Sequence, residues 1–291
     1  MERFLDLLVA AVLLAGLYAT MAYGLGLIYG VLRVVNLNHG GVIMLGAYLG
    51  WVLHEKLGLD PYLSLPIVAL VSFGLGVVIY KVFVRHLPRG AAGGVQSLLL
   101  LFGLWLILRN AAYLAFTGND QTIRTAYSTR SFDLAGLSLS VNRLAVFGIA
   151  VLTLVLLQLF LTRTWLGKAI RAVAQNADSC VLSGIEVEKI YSFTFGLGTA
   201  LAGIAGLLGG TLFSFSPSFG SSELLKSFVI VVLGGLGSVT GTAAAALVLA
   251  LVEVFAILVL PAYLTSAVGF VLLVLVLVFR PGGLFGQRVL G

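Results

Sequence analysis

Apolar stretches of about 20 residues, the length a helix needs to cross a bilayer, recur from one end of this chain to the other. Nine can be drawn, over 5–32, 40–54, 61–84, 95–117, 143–162, 191–214, 223–236, 240–260 and 262–279. Lipid offers the backbone no hydrogen-bond partners, so a spanning segment must be a helix or part of a closed barrel. These runs are continuous and lack the alternation of a membrane β-barrel. The expectation is an all-α fold, a polytopic membrane helix bundle of about nine segments forming one transmembrane domain over 1–291. Composition agrees, with 60% hydrophobic and 10% charged residues against about half and a quarter in soluble domains. Two segments, Val42–Leu53 and Leu224–Leu236, would barely span without broken helices or supporting neighbours. The first run is expected to be retained. Its flank, Met1 to Asp6, is not positively charged, and the run outlasts a signal peptide's apolar core. The single cysteine, Cys180, excludes a disulfide within the chain.

The loops suggest an orientation. With the start of the chain outside, one side holds Arg33, Lys81, Arg85, Arg89, Arg163, Lys168, Arg171, Lys189, Arg280 and Arg288 against Asp178, Glu186 and Glu188, a balance of +7. The other side carries seven basic and seven acidic residues. Basic residues gather on the cytoplasmic side, so with nine crossings the N-terminus is expected outside and the C-terminus inside; if 223–236 only dips in and returns, the C-terminus moves outside, where Arg280 and Arg288 fit less well. The same rule accounts for the basic pI of about 9.6 without a nucleic-acid partner. Small residues recur every fourth position at Ala22, Gly26 and Gly30, at Gly198, Ala202, Gly206 and Gly210, and at Gly237, Gly241 and Ala245. Such stripes let helix backbones approach closely in lipid.

Residues 163–190 break the apolar character, with seven charged side chains in 28 positions. Leu166, Ala169, Ile170, Val173 and Ala174 fall on one helical face, with Lys168, Arg171 and Gln175 off it. Asn176 is a plausible end, Asp178 a candidate cap for a second short helix, and Gly184 its stop. The pattern describes a folded cytoplasmic helix–turn–helix between two spans. It suits the docking of another protein, although an ordinary solvated loop would also carry such charge.

Polar groups interrupt the apolar sequence at Asn36, Asn38 and His39. They read either as a pathway lining, since polar groups at membrane depth are costly and mark pathways, or as a capped turn. Gly234, Gly235, Gly237 and Ser238 do not form a phosphate loop, because neither G-x-G-x-x-G nor a following G-K-[ST] is present. A broken helix of the kind transporters place at binding sites is the better fit. Glu253 is the most interior acid; it reads either as lining a path or, the favoured reading, as paired with Arg109 or a backbone donor. His39, His54 and His86 lack metal-ligand spacing, and no nucleophile–base arrangement is visible. The chain does not read as an enzyme.

The stretch Gly167 to Ile185 resembles the cytoplasmic loop of the branched-chain amino-acid ABC transporter permeases, the LivH-type inner-membrane subunits. Leu32 to Tyr48 resembles that family's Asn-x-x-His-Gly signature. Leu108, Arg109 and Asn110 resemble its polar pair in the fourth helix. Leu224 to Ser238 resembles its late glycine-rich element and Arg280 to Gly286 its tail. The match runs in order over about residues 20–286. One departure is Gly41, a position often acidic in the family.

The resemblance implies a permease subunit of a binding-protein-dependent importer. Its partners would be a second permease, homologous or a copy of itself, two cytoplasmic ATP-binding subunits and a periplasmic solute-binding protein. ATP and Mg would be bound by the partners and no cofactor by this chain. It implies ATPase coupling through Gly167, Lys168, Arg171, Gln175, Asn176, Asp178 and Gly184. Pathway candidates are Asn36, Asn38, His39, Gly40, Asn110, Lys226, Gly234, Gly235, Gly237 and Ser238. The alternatives are a permease for urea or short amides, or a self-sufficient secondary transporter or channel.

Overall fold

A computed structural model describes residues 2–280 and Gly283, apart from 89, 90, 126, 135, 136, 236 and 237. Arg89, Gly237, Arg288 and most of the tail resembling the family's therefore lie outside the described residues. The chain is an all-α bundle: α1 (Glu2–Leu32), α2 (His39–Leu57), α3 (Leu65–Val82), α4 (Ala91–Phe116), α5 (Val141–Arg163), α6 (Trp165–Gln175), α7 (Ala177–Leu182), α8 (Val187–Leu212), α9 (Phe219–Gly234), α10 (Val239–Ala256) and α11 (Ala262–Phe279). Among the described residues five helices are long and apolar enough to cross a membrane: α1, α3, α4, α5 and α8. Of the remaining segments, α9, at 16 residues, owes its shortness to where it begins, and α2, at 19, begins inside the bundle as well.

α8 is the centre of the bundle, packed along α1, α2 and α3. Its glycines and those facing them make this possible. A methyl on Gly24 would lie 2.5 Å from the Gly198 carbonyl oxygen, and one on Gly198 2.6 Å from that of Gly24. A methyl on Gly206 would overlap the Ile43 carbonyl oxygen, and one on Gly46 that of Gly203. The small-residue stripe of α8 is thus a backbone-to-backbone seam.

After α1 the chain turns back on itself. Arg33 adopts a left-handed φ of 58°, and residues 33–38 return into the bundle. His39 then sits with Nε2 2.9 Å from the Met21 carbonyl oxygen, about three helical turns from the end of α1. α2 therefore begins in the interior. α9 does the same from the other end. Phe215 pairs with Gln121 in an isolated bridge, and the chain then enters the bundle so that Gly220 meets Gly40.

The two ends of the bundle are distinguishable. One gathers the ends of α1 and α5 with α6 and the start of α8, through Val31, Leu161, Ile170 and Ile190. There Arg85 Nε lies 3.7 Å from Glu188, which also accepts a 2.8 Å hydrogen bond from the Tyr80 hydroxyl. Gly283 lies at this end as well, against Val232 and Gly235. At the other end the Phe4 ring is 5.2 Å from that of Phe255. This end also carries a short antiparallel hairpin, Ser131–Leu134 with Leu137–Ser140, which a reading based on apolar runs leaves out. Asp60 ties the loops here, accepting from the Tyr127 hydroxyl at 2.7 Å and from the Tyr62 backbone N–H at 2.9 Å. Burial pushes Tyr62 up to about 12. Burial and the Asp60 carboxylate hold Tyr127 well above the ordinary tyrosine range.

Candidate translocation site and coupling segment

Thr164 opens the polar segment, its Oγ1 accepting from the Gly167 N–H at 3.0 Å as the cap of α6. Ala169, Ile170 and Val173 are buried against Leu157, Leu161 and Ile190, so the face expected to be apolar is the seating face. Gly167 lies on the backbone of Phe160 and Leu161, where a side chain would overlap both. Lys168, Arg171 and Gln175 are exposed. Asn176 ends α6 and also caps α7, its Oδ1 accepting from Ser179 N at 2.9 Å. The expected cap, Asp178, falls instead inside the first turn of α7. The extended backbone of Asn176 (φ −154°, ψ 100°) puts its amide oxygen over that turn. Gly184 follows with φ 78°. A groove of about 620 Å³ runs beside α7 and the start of α8, with Arg85, Asp178, Glu186 and Glu188 on its walls.

The interior polar residues lie where α2 begins. Asn36, Asn38 and His39 are 0% exposed. Both amide atoms of Asn36 and of Asn38, and Nδ1 of His39, have no partner among the described residues. Unpartnered buried polar atoms cost about 1–3 kcal/mol each, so five in one place are an expensive feature that close packing does not explain. Gly40 abuts Gly220 and Leu224 at the start of α9, and the Cβ position of Gly41 lies 2.8 Å from Asn38 Oδ1 and 3.4 Å from Trp105. Arg109 extends over the Trp105 ring at 5.5 Å and the Tyr113 ring at 5.6 Å. Its Nη2 is 3.4 Å from the hydroxyl of Ser218, the residue that precedes α9. Tyr113 shares that hydroxyl at 2.9 Å.

Other candidates lie elsewhere. Asn110 is exposed on α4 and donates to the Leu106 carbonyl at 2.7 Å. Gly234 packs on Gly241, and Ser238 caps α10 by accepting from Gly241 N at 3.1 Å. Gly237 lies outside the described residues. This turn sits at the far end of α9, so the segment meeting Asn36–Gly41 is the start of α9 at 219–224 rather than its glycine-rich end. Lys226 lies about two turns into α9 and contacts Glu223 at 3.2 Å. Glu253 accepts a hydrogen bond from the Tyr18 hydroxyl at 2.5 Å; its partner is neither Arg109 nor a backbone group. Tyr18 is one of four hydroxyl residues in the first apolar run, with Thr20, Tyr23 and Tyr29, and nothing in the sequence singles it out. Among the described residues no group of three or more His, Cys, Asp or Glu could hold a metal.

Residues 7–277 match the family model of the branched-chain amino acid transport system permease component. The chain belongs to this family. The permease is 30% identical to the high-affinity branched-chain amino acid transport system permease protein BraD of Pseudomonas aeruginosa, over 98% of this chain and 96% of that one. It is 28% identical to a probable branched-chain amino acid transport permease protein LivH of Methanocaldococcus jannaschii, over 90% of this chain and 83% of the relative. LivM of Escherichia coli, a permease protein of a high-affinity branched-chain amino acid transport system, is 27% identical over 80% of this chain and 60% of its own. No solved structure matches. The permease is a multi-pass helical membrane protein of the ABC transporter type.

Proposed function

We propose that this permease is one of two membrane subunits of an importer carrying branched-chain or other amino acids across a bacterial inner membrane. Two partner subunits hydrolyse ATP, and a periplasmic binding protein delivers the solute. The observation that carries the reading is the meeting of two interrupted helices. α2 and α9 begin inside the bundle, backbone to backbone at Gly40 and Gly220, beside three buried side chains with unpartnered polar atoms. Non-helical backbone at membrane depth is tolerated only in buried protein or along a water-filled cavity. Helix starts and a guanidinium suit a carboxylate. Asn36, Asn38, His39, Gly40 and Lys226 are accordingly assigned to the path. Gly234, Gly235, Gly237 and Ser238 are assigned to its outlet, and Asn110 to a face covered by the second permease.

The segment 163–190 is assigned to ATPase coupling. Gly167 seats α6 on the bundle. Lys168, Arg171, Gln175, Asn176 and Asp178 supply the docking surface, and Gly184 the turn behind it. The +7 balance supports a cytoplasmic location for this end, which puts the C-terminus inside and the N-terminus outside. Gly41, in place of the acid common among relatives, supports a second reading in which the solute is urea or a short amide.

Solute-stimulated ATPase of the purified complex in lipid tests both. Stimulation by branched-chain amino acids is expected. Stimulation by amides alone would select the second reading, and uptake by this chain without any ATPase would refute the assignment to an importer.

A further inference from the structure

Tyr18, Glu223, Lys226 and Glu253 form a cluster inside the bundle that the proposed path does not fully use. Glu223 is 3% exposed and Glu253 8%. Lys226 Nζ lies 3.2 Å from Glu223 Oε1 and 5.1 Å from the Tyr18 ring centroid. The Tyr18 hydroxyl is 2.5 Å from Glu253 Oε2. The second oxygen of each carboxylate, Glu223 Oε2 and Glu253 Oε1, has no partner. With both acids ionised, two carboxylates face one ammonium and the cluster carries an uncompensated negative charge. Charges inside a membrane protein are costly unless paired.

The groups facing Glu253 are few. Among the described residues α1 contributes Tyr18, α9 contributes Ser222, Glu223 and Lys226, and α11 contributes Gly269 and Phe270. Glu253 Oε1 lies 3.8 Å from the Cβ position of Gly269, on a cavity of about 90 Å³ whose polar lining is Ser222, Lys226 and Glu253, the rest being apolar side chains such as Leu249 and Phe270. One water needs about 10–15 Å³ of such space, so the cavity is roomy enough for water. Its walls offer an ion one free carboxylate oxygen and the Ser222 hydroxyl, beside the repelling Lys226 ammonium and otherwise apolar side chains. A hydrated alkali ion needs more oxygens than that, whereas a proton needs one.

We propose that Glu253 is a proton-binding site. Oε1 carries the proton and exchanges it through the cavity, while Oε2 continues to accept from Tyr18. Glu223 and Lys226 are then left as a balanced ion pair, and the cluster is neutral. The proposal does not depend on which solute is carried.

Infrared spectroscopy of the intact transporter in lipid nanodiscs tests it. A protonated-carboxyl C=O band is expected at neutral pH, to be lost in Glu253→Gln and shifted to higher frequency in Tyr18→Phe, which removes the hydrogen bond to Oε2. No such band in the wild-type protein, or an undiminished band in Glu253→Gln, would overturn it. Bleaching of the band by sodium at fixed pH would assign the cavity to an alkali cation and also overturn it. If Glu253→Gln does not fold, Tyr18→Phe alone decides, an unshifted band counting against the proposal.

Discussion

A methyl group on Gly40 would overlap the carbonyl oxygen of Gly220, and a methyl group on Gly220 would overlap that of Gly40. The contact is reciprocal and lies between main chains. Neither side chain nor rotamer can relieve it, so the starts of α2 and α9 must separate whenever either residue is enlarged.

Gly40→Ala and Gly220→Ala are each expected to destabilise the permease by about 1–3 kcal/mol, the cost of overpacking. Gly74→Ala, where a methyl meets nothing within 4 Å, should be neutral. Thermal unfolding in detergent compares the three, and equal melting temperatures would contradict the contact.

Asn38 lies in the buried polar locus, and a cysteine there is expected to react with small polar thiol reagents during turnover and to be inert at rest. Ser238, half-buried at the end of the bundle, should react in both conditions, with a rate that turnover changes. The background is Cys180→Ser. Leu272, a natural choice of lipid-facing control from its apolar sequence, packs half-buried on the core, so Val271, 58% exposed, replaces it. An Asn38 cysteine that stays as inert as one at Val271 during transport would remove Asn38 from the path.

Arg171→Glu should leave the permease inserted and folded while lowering both ATPase co-purification and uptake, because like charges at a contact cost several kcal/mol. Gly167→Ala should act differently. Its methyl would overlap the backbone of α5, so loss of thermal stability is expected before any loss of docking. At Gly184 there is room for a side chain, but φ is 78°; a bulky residue there should strain the turn and uncouple transport without unfolding the bundle. Normal uptake in Arg171→Glu would end the docking assignment.

A reporter active only outside the cytoplasm should work when fused near Asp120 and fail near Gln175. Activity at Gln175 would invert the orientation.

Tyr127 holds Asp60 through its hydroxyl proton. Its pKa is raised on folding, by burial first and by Asp60 next. The stability it contributes is therefore complete below the ordinary tyrosine range and lost as pH climbs through the raised value. Tyr127→Phe should bring the alkaline loosening of residues 117–140 down to neutral pH, seen as faster proteolysis there than in wild type. Equal cleavage rates at neutral pH would show that the bond does not hold the loop.

Much of this architecture was legible because lipid removes the alternatives. Nine apolar runs could only be helices, and the apolar face of Ala169, Ile170 and Val173 was visible in the spacing, although the charge around it also suited a solvated loop. The starts of α2 and α9 were harder. Asn36, Asn38 and His39 showed that something polar sat between two spans, but not that the chain doubles back at Arg33 to deliver them to the level of Met21. That depends on backbone geometry with no composition of its own. The partner of Glu253 was hidden for a related reason: Tyr18 lies 235 positions away in a run that reads as featureless. The cap of α7 was misplaced by two residues because Asn176 and Asp178 have the same capping chemistry, and only the extended backbone at 176 decides between them.

The seam along α8 has a mechanical consequence. Four residues, 183–186, separate α7 from α8, and from there carbonyl oxygens bear directly on the backbones of α1 and α2 at Gly24 and Gly46. Such contacts contain no soft side chains to absorb a displacement. A push delivered to residues 163–190 would travel up α8 as through a stiff rod, and it would reach the start of α2 with little of its stroke lost on the way.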